Sequence, residues 1–449
     1  MHRTGHDPRR GRRFRRVCCT TLLLTLSISA APGQVTRKAA FVANSGNLEG
    51  SVSSFTFNAD GSLNFVQKII TGERPSTSVY EPGCNPYTIA ISPNGRYLAT
   101  GHASSDDPIQ QVTLLEVASD ATLSVIYEHP HPDTAMDVEW IDDRYLAALR
   151  TDFGQTNQVI IYELDADTPA LVEVDRGDCG TFTTSLAVHP SRTRLYAGDS
   201  NANRIYPFQI APDGTLTPLA STATGNTYPL GVGVSPDGLK LYAGGGISSG
   251  GHAVLGYHIL PAGTLQAMTG TPFNSPGESP KDTAFSSDAS MLFVSHGTDA
   301  TVRSFLIDAE TGAPTATGFF FDVGMQGSLG DHAVLHDWLL VTDNTTALDG
   351  VRGLYSFDIL PNGGLAINGA IVDTQGINPR EIAVWRPPCP GDTDGDDDVD
   401  LVDLAVLLGT YGLCHGDPGY VPQADFNGDD CVTLDDLAEL LGHYGQTCL

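Results

Sequence analysis

Two stretches near the C-terminus carry oxygen-bearing side chains at the spacing a hard cation requires. Asp392, Asp394, Asp396, Asp398, Asp400 and Asp403 form the first; Asp425, Asn427, Asp429, Cys431, Thr433 and Asp436 form the second. They fall at positions 1, 3, 5, 7, 9 and 12 of a twelve-residue loop, in which position 7 offers its backbone carbonyl. Cys431 can therefore give a ligand while its sulfur forms a disulfide. The spacing predicts two Ca2+ sites. Each loop runs into an apolar segment, Leu404–Leu408 or Leu437–Leu441, ending at Tyr411-Gly412 or Tyr444-Gly445, so each is expected to lead into a helix. From Cys389 to Leu449 there are 14 acids and no Lys or Arg. A merely solvated acidic tail would predict neither the doubled spacing nor the matched helices.

Cys389, Cys414, Cys431 and Cys448 share this tail and admit two disulfides in three connectivities. They lack the CxxC pairs of zinc sites. Farther upstream, Cys84 and Cys179 can tie two long loops together. His129-Pro-His131-Pro-Asp133 places two histidines where they can share a metal, although a Pro-rich exposed loop is the favoured reading.

The elements that position such groups repeat. An aromatic or leucine anchor followed by a turn recurs at Phe55, Leu115, Tyr162, Phe208, Tyr257, Phe305 and Phe357, at intervals of 46 to 60 residues. A second unit interleaves with it, as in Ile89-Ala-Ile91-Ser92-Pro93-Asn94-Gly95. Together they make four strands per repeat and predict an all-β, seven-bladed β-propeller over 35–386. The strand Ala39–Ala43 lacks a partner before it. Ile382–Trp385 supplies one, so N- and C-terminal strands pair and close the ring. Residues opening the innermost strands then ring a central channel. The ionisable ones, Lys281, Asp282, Asp331, Arg380 and Glu381, belong to blades 6, 7 and 1 and are the candidate ligand-binding group. Structural ion pairs in a water-filled channel are the competing reading.

Residues 1–34 carry seven arginines, one acid, and an apolar run from Val17 to Ala31. This is the pattern of a secretory signal peptide, and it predicts an exported protein that is extracellular, periplasmic or on the cell surface. No other stretch is long and apolar enough for a membrane span. The 449 residues hold 53 acids against 24 Lys+Arg, a formal charge of −29, which argues against nucleic acid as a partner. Pro387-Pro388 opens a short linker, 387–390, ahead of a tail module over 391–449.

That tail resembles a dockerin, a small α-helical calcium-binding module of paired EF-hand-like loops. Position 6 is Asp397 and Asp430 where most such loops have Gly. Positions 10 and 11 are Leu401-Val402 and Leu434-Asp435 where cohesin-binding dockerins often carry Ser-Thr. The resemblance implies a cell-envelope anchor or a cohesin-like partner. Ser92-Pro93-Asn94-Gly95 and Ser235-Pro236-Asp237-Gly238-Leu-Lys-Leu-Tyr242 resemble turns of the seven-bladed lactonase family, which includes phosphogluconolactonase-type and carboxymuconate-cyclising enzymes. Thr181–Ser185 lacks the histidine of that family's site. Pro229-Leu230-Gly231 stands where Arg-His would, and Ala243–Gly246 where Asn-Glu would. The expectation is an exported propeller that binds a small molecule or carbohydrate and is anchored or docked through its tail. The alternatives are a lactone hydrolase or carbohydrate-processing enzyme working in the channel, and a structural surface component.

Overall fold

A computed structural model describes residues 37–447, apart from 47–49, 73–84, 103–109, 153, 166–167, 247–250, 325–328, 346–349, 388, 394–397, 415–416, 418 and 428–430. The signal segment 1–34, Cys84, Asp394, Asp396, Asp429 and Cys448 thus lie outside the described residues.

Seven antiparallel sheets follow one another along the chain. Six open on their innermost strand: Pro86–Ile91 in blade 2, Thr134–Trp140 in blade 3, Thr183–Val188 in blade 4, Tyr228–Val234 in blade 5, Pro280–Phe285 in blade 6 and Leu329–Leu335 in blade 7. Blade 1 instead takes three strands from the N-terminal side, beginning with Ala39–Ser45, and its innermost strand from Pro379–Trp385. Ala39 pairs with Trp385, Phe41 with Ala383 and Val42 with Ile382. Each innermost strand lies beside the next, and Leu329–Leu335 lies beside Pro379–Trp385, so the predicted ring closes.

The core lies between blades. Period-2 alternation sends successive side chains to opposite faces of a sheet, and each face packs on a neighbouring blade. Tyr97 and Val112 of blade 2 meet Val138, Trp140 and Leu146 of blade 3, while Leu98 and Leu115, on the other face, meet Phe41 and Ala43 of blade 1. The turns serve the same joints. Gly95, at φ +69°, lies against the indole of Trp385 and leaves no room for a Cβ. The Trp385 Nε1 donates to the Pro93 carbonyl at 3.1 Å.

Each innermost strand also breaks register with its neighbour near its start. The shift falls between Pro280 and Thr283, Leu329 and His332, Ala135 and Val138, and Pro229 and Val232. In blade 1 it separates the pairs Val42–Ile382 and Asn44–Pro379. Such bulges unpair a residue or two and re-aim their side chains. Here the residues released from the ladder are Lys281-Asp282, Gly330-Asp331, Met136-Asp137, Leu230-Gly231 and Arg380-Glu381, all of which line the channel.

Beyond the last strand come two helices, α1 (Leu401–Thr410) and α2 (Leu434–His443). Both open on a capping box, Asp400 with Asp403 and Thr433 with Asp436. Val399 exchanges backbone hydrogen bonds with Gly445 and Gln446, and Val432 does the same with Gly412 and Leu413, so the duplicated sequence folds as a duplicated structure. Val399, Leu407, Ala424, Val432 and Leu440 form its small core. Cys414 and Cys431 are disulfide-bonded. Cys389 is also disulfide-bonded, to a partner outside the described residues. Among the described residues no helix is long and apolar enough to cross a membrane.

Candidate functional site

The channel is a cavity of about 670 Å³, and Lys281, Asp282, Asp331, Arg380 and Glu381 all line it. The ionisable ring is wider than the sequence indicated. Blade 3 adds Asp137 and Glu139 to the same wall. The bulge in Thr134–Trp140 carries Asp137 round to the channel, and Glu139 follows two residues later on the same face. The signal was present in Thr-Ala-Met-Asp-Val-Glu-Trp, a strand with two acids amid mostly apolar residues.

Thr88 joins two of these acids. Its hydroxyl lies 3.0 Å from Asp137 Oδ1 and 2.9 Å from Glu381 Oε1, and accepts the Val138 N–H at 3.3 Å. One hydroxyl proton can serve only one of the two carboxyls. The other must bring its own proton, so at least one of the two is a carboxylic acid. Burial, reinforced by the charge of Glu139, pushes Asp137 well above the usual carboxylate range, although the Leu186 N–H donates to its Oδ2 at 2.6 Å. Burial first, then the charges of Asp137, Asp331 and Asp282, does the same to Glu381. Glu139 is pushed up to about 8 by burial and by Glu381 and Asp282. Asp331 is pushed up to about 7 by burial and Asp282, against the pull of Lys281.

Among the described residues, two cations face five acids. Lys281 Nζ donates to the Gly330 carbonyl at 3.1 Å. The Arg380 guanidinium stacks on Tyr87, 3.5 Å from its ring centroid, and reaches its hydroxyl. His332 lies on the same wall, buried, with Nε2 3.1 Å from the Phe293 carbonyl and Nδ1 3.8 Å from Asp331 Oδ1. Burial holds it below the usual histidine range and hence neutral at pH 7. The arrangement can donate and accept protons near neutral pH, and it disfavours an anion.

Two other expectations are corrected. Cys179 carries a free, buried thiol, pushed up to about 12 by burial, so it forms no bridge to Cys84. His129 and His131 lie on a strand, Leu123–His131, rather than in an exposed loop. His129 packs edge-on to Tyr162, and His131 is held by the Asp133 carbonyl at 2.6 Å. Burial drops His131 to about 4.

In the tail, Asp398, Asp400 and Asp403 bring carboxylate oxygens within 4.8 Å of one another. That hard-oxygen set fits a calcium ion. Asp403 and Asp436, at position 12, are fully buried and take loop N–H groups: Thr393 and Asp400 donate to Asp403, and Phe426, Asn427 and Thr433 to Asp436. The two first positions differ. Asp392 is paired with Arg386 at 3.0 Å, whereas Asp425 accepts from the Tyr420 hydroxyl at 2.8 Å.

Residues 145–255 match the family described as Lactonase, 7-bladed beta-propeller. No curated protein matches the chain. Among solved structures, the chain is similar to the periplasmic gluconolactonase of Pseudomonas aeruginosa, with 17% identity and a TM-score of 0.59. It is likewise similar to a candidate 6-phosphogluconolactonase of Bacteroides uniformis and a protein of unknown function from Desulfotomaculum acetoxidans, each with 16% identity and a TM-score of 0.60. All three matches cover 78% of this chain and 100% of the other. At these identities the likeness shows a shared propeller fold.

Proposed function

We propose that this is an exported ligand-binding propeller whose channel takes an uncharged or cationic polyhydroxy compound, and whose tail binds two calcium ions and docks the protein to the cell envelope or a cohesin-like partner. One observation carries the channel reading: among the described residues, Asp137, Glu139, Asp282, Asp331 and Glu381 share one cavity with two cations, Lys281 and Arg380. Protonated acids donate and carboxylates accept, which suits hydroxyl groups. A phosphate would meet repulsion. The docking reading is supported by exposed apolar residues repeated on the two helices and at their C-caps, Leu401, Leu408 and Tyr411 in one unit and Leu434, Leu441 and Tyr444 in the other.

Lactone hydrolysis in the same channel is a second reading. It is favoured by Asp331 and Glu139 titrating at about 7 and about 8, where a carboxyl can act as general acid or base at neutral pH. Calorimetry with D-glucono-1,5-lactone, its 6-phosphate and D-glucosamine tests the charge selection. The phosphate ester should bind at least about tenfold more weakly than the other two, about 1.4 kcal/mol. Equal or tighter binding of the ester would overturn the reading. Turnover of the neutral lactone that falls on Glu381→Gln and Asp331→Asn would favour the hydrolase.

A further inference from the structure

A second cavity, of about 460 Å³, opens beside the channel where blades 4 and 5 meet. Its walls include Thr181, Phe182, Ser200, Asn201, Tyr228 and Leu230, and two of these, Phe182 and Leu230, also line the channel. The two spaces are therefore neighbours that share these two side chains.

Several polar groups of this side cavity are already engaged. Asn201 Nδ2 donates to Thr181 Oγ1 at 2.8 Å, Ser200 Oγ to the Pro229 carbonyl at 2.9 Å, and Ser200 N to the Phe182 carbonyl at 3.0 Å. The Leu230 carbonyl accepts from Thr184 Oγ1 at 2.9 Å. What remains for a ligand is chiefly the carbon surface of Phe182, Tyr228 and Leu230. The walls are also fixed in place. Asp199, fully buried, accepts the backbone N–H groups of Thr181, Phe182, Asn201 and Ala202, and so pins two of the loops that border the cavity. A preformed apolar pocket saves the ordering cost that a flexible one would impose on binding.

We infer that the ligand of the channel is an amphiphile, with a hydroxylated head held by the carboxyl cluster and an apolar tail lying in the side cavity against Phe182, Tyr228 and Leu230. This rests on the channel reading above. It adds a subsite and narrows the ligand class from polyhydroxy compounds to those bearing an aliphatic or aromatic substituent.

The test is calorimetry of the full chain with n-alkyl β-D-glucopyranosides from methyl to octyl, kept below micelle-forming concentrations. Each added methylene should lower Kd by roughly fourfold until the cavity is filled. Tyr228→Ala should reduce that dependence by at least half, and Tyr228→Phe, which keeps the ring, should preserve it. If Tyr228→Ala does not fold, the wild-type series still decides. Measurable binding of methyl glucoside with no gain on lengthening the chain would overturn the side subsite and leave the channel reading standing. Binding by no member would overturn both.

Discussion

A carboxyl group confined with four others gives the folded chain a proton that the unfolded chain would release. Asp331 and Glu139 titrate at about 7 and about 8, against ordinary values of 3.8 and 4.5. Asp137, Asp282, Glu381, His332, Lys281 and Arg380 share their cavity. Between about pH 4 and about pH 8 the native state therefore holds more protons than the unfolded state, and stability falls as pH rises through that window. Thermal unfolding should shift to lower temperature from pH 5 to pH 8, by on the order of a few kcal/mol of stability. Asp331→Asn and Glu139→Gln should flatten the slope and raise stability at pH 8. A wild-type slope of opposite sign would contradict the assignment. Lys281, Asp282, Asp331, Arg380 and Glu381 were legible because they open strands whose period was plain. Asp137 and Glu139 were not, since in Thr134–Trp140 one more residue pairs before the bulge, which sets Asp137 deeper than the opening pair of the strand, and Glu139 lies deeper still.

The two loop–helix units of the tail invite the same treatment one level up. Their caps, core positions and closing glycines repeat, but Arg386 pairs with Asp392 in the first unit and Tyr420 with Asp425 in the second. A guanidinium occupying one oxygen of a ligand carboxylate competes with the cation for it. Calcium titration of the full chain should thus resolve two unequal sites, and Arg386→Ala should strengthen one several-fold while leaving the other as it was. Chelation should lower the melting temperature of this unit. Identical melts with and without calcium would remove the calcium assignment. Sequence spacing located both units, and the helices lie where the apolar runs placed them, extended by a few residues at each end. The unequal first positions were not foreseeable, because Arg386 belongs to the end of the propeller and reaches the loop only through the chain's path.

At the scale of the molecule, the ring depends on one joint. Trp385 ends the closing strand, packs against Gly95 and hydrogen-bonds to Pro93 in the next blade. Trp385→Ala should cost about 3–5 kcal/mol, whereas Trp385→Phe should cost less, losing mainly a hydrogen bond of about 1 kcal/mol. Denaturant unfolding would measure both. Equal, small effects would show that closure does not limit stability. The seven repeats and this closure could be read from spacing alone, because each blade is built from local hairpins with regular turns. The joint has a further consequence, in time rather than space. Val42 and Ile382 pair across about 340 residues, and the entropy of bringing such distant segments together is on the order of 5 kcal/mol. Blades 2 to 7 hold all their strands within one continuous stretch and can form in order as the chain is made. Blade 1 keeps an unpaired inner edge until the last strand arrives, so a nascent or prematurely terminated chain presents a sticky β-edge to its neighbours. Arrival of the closing strand, rather than completion of any single blade, is the event that removes that inner edge.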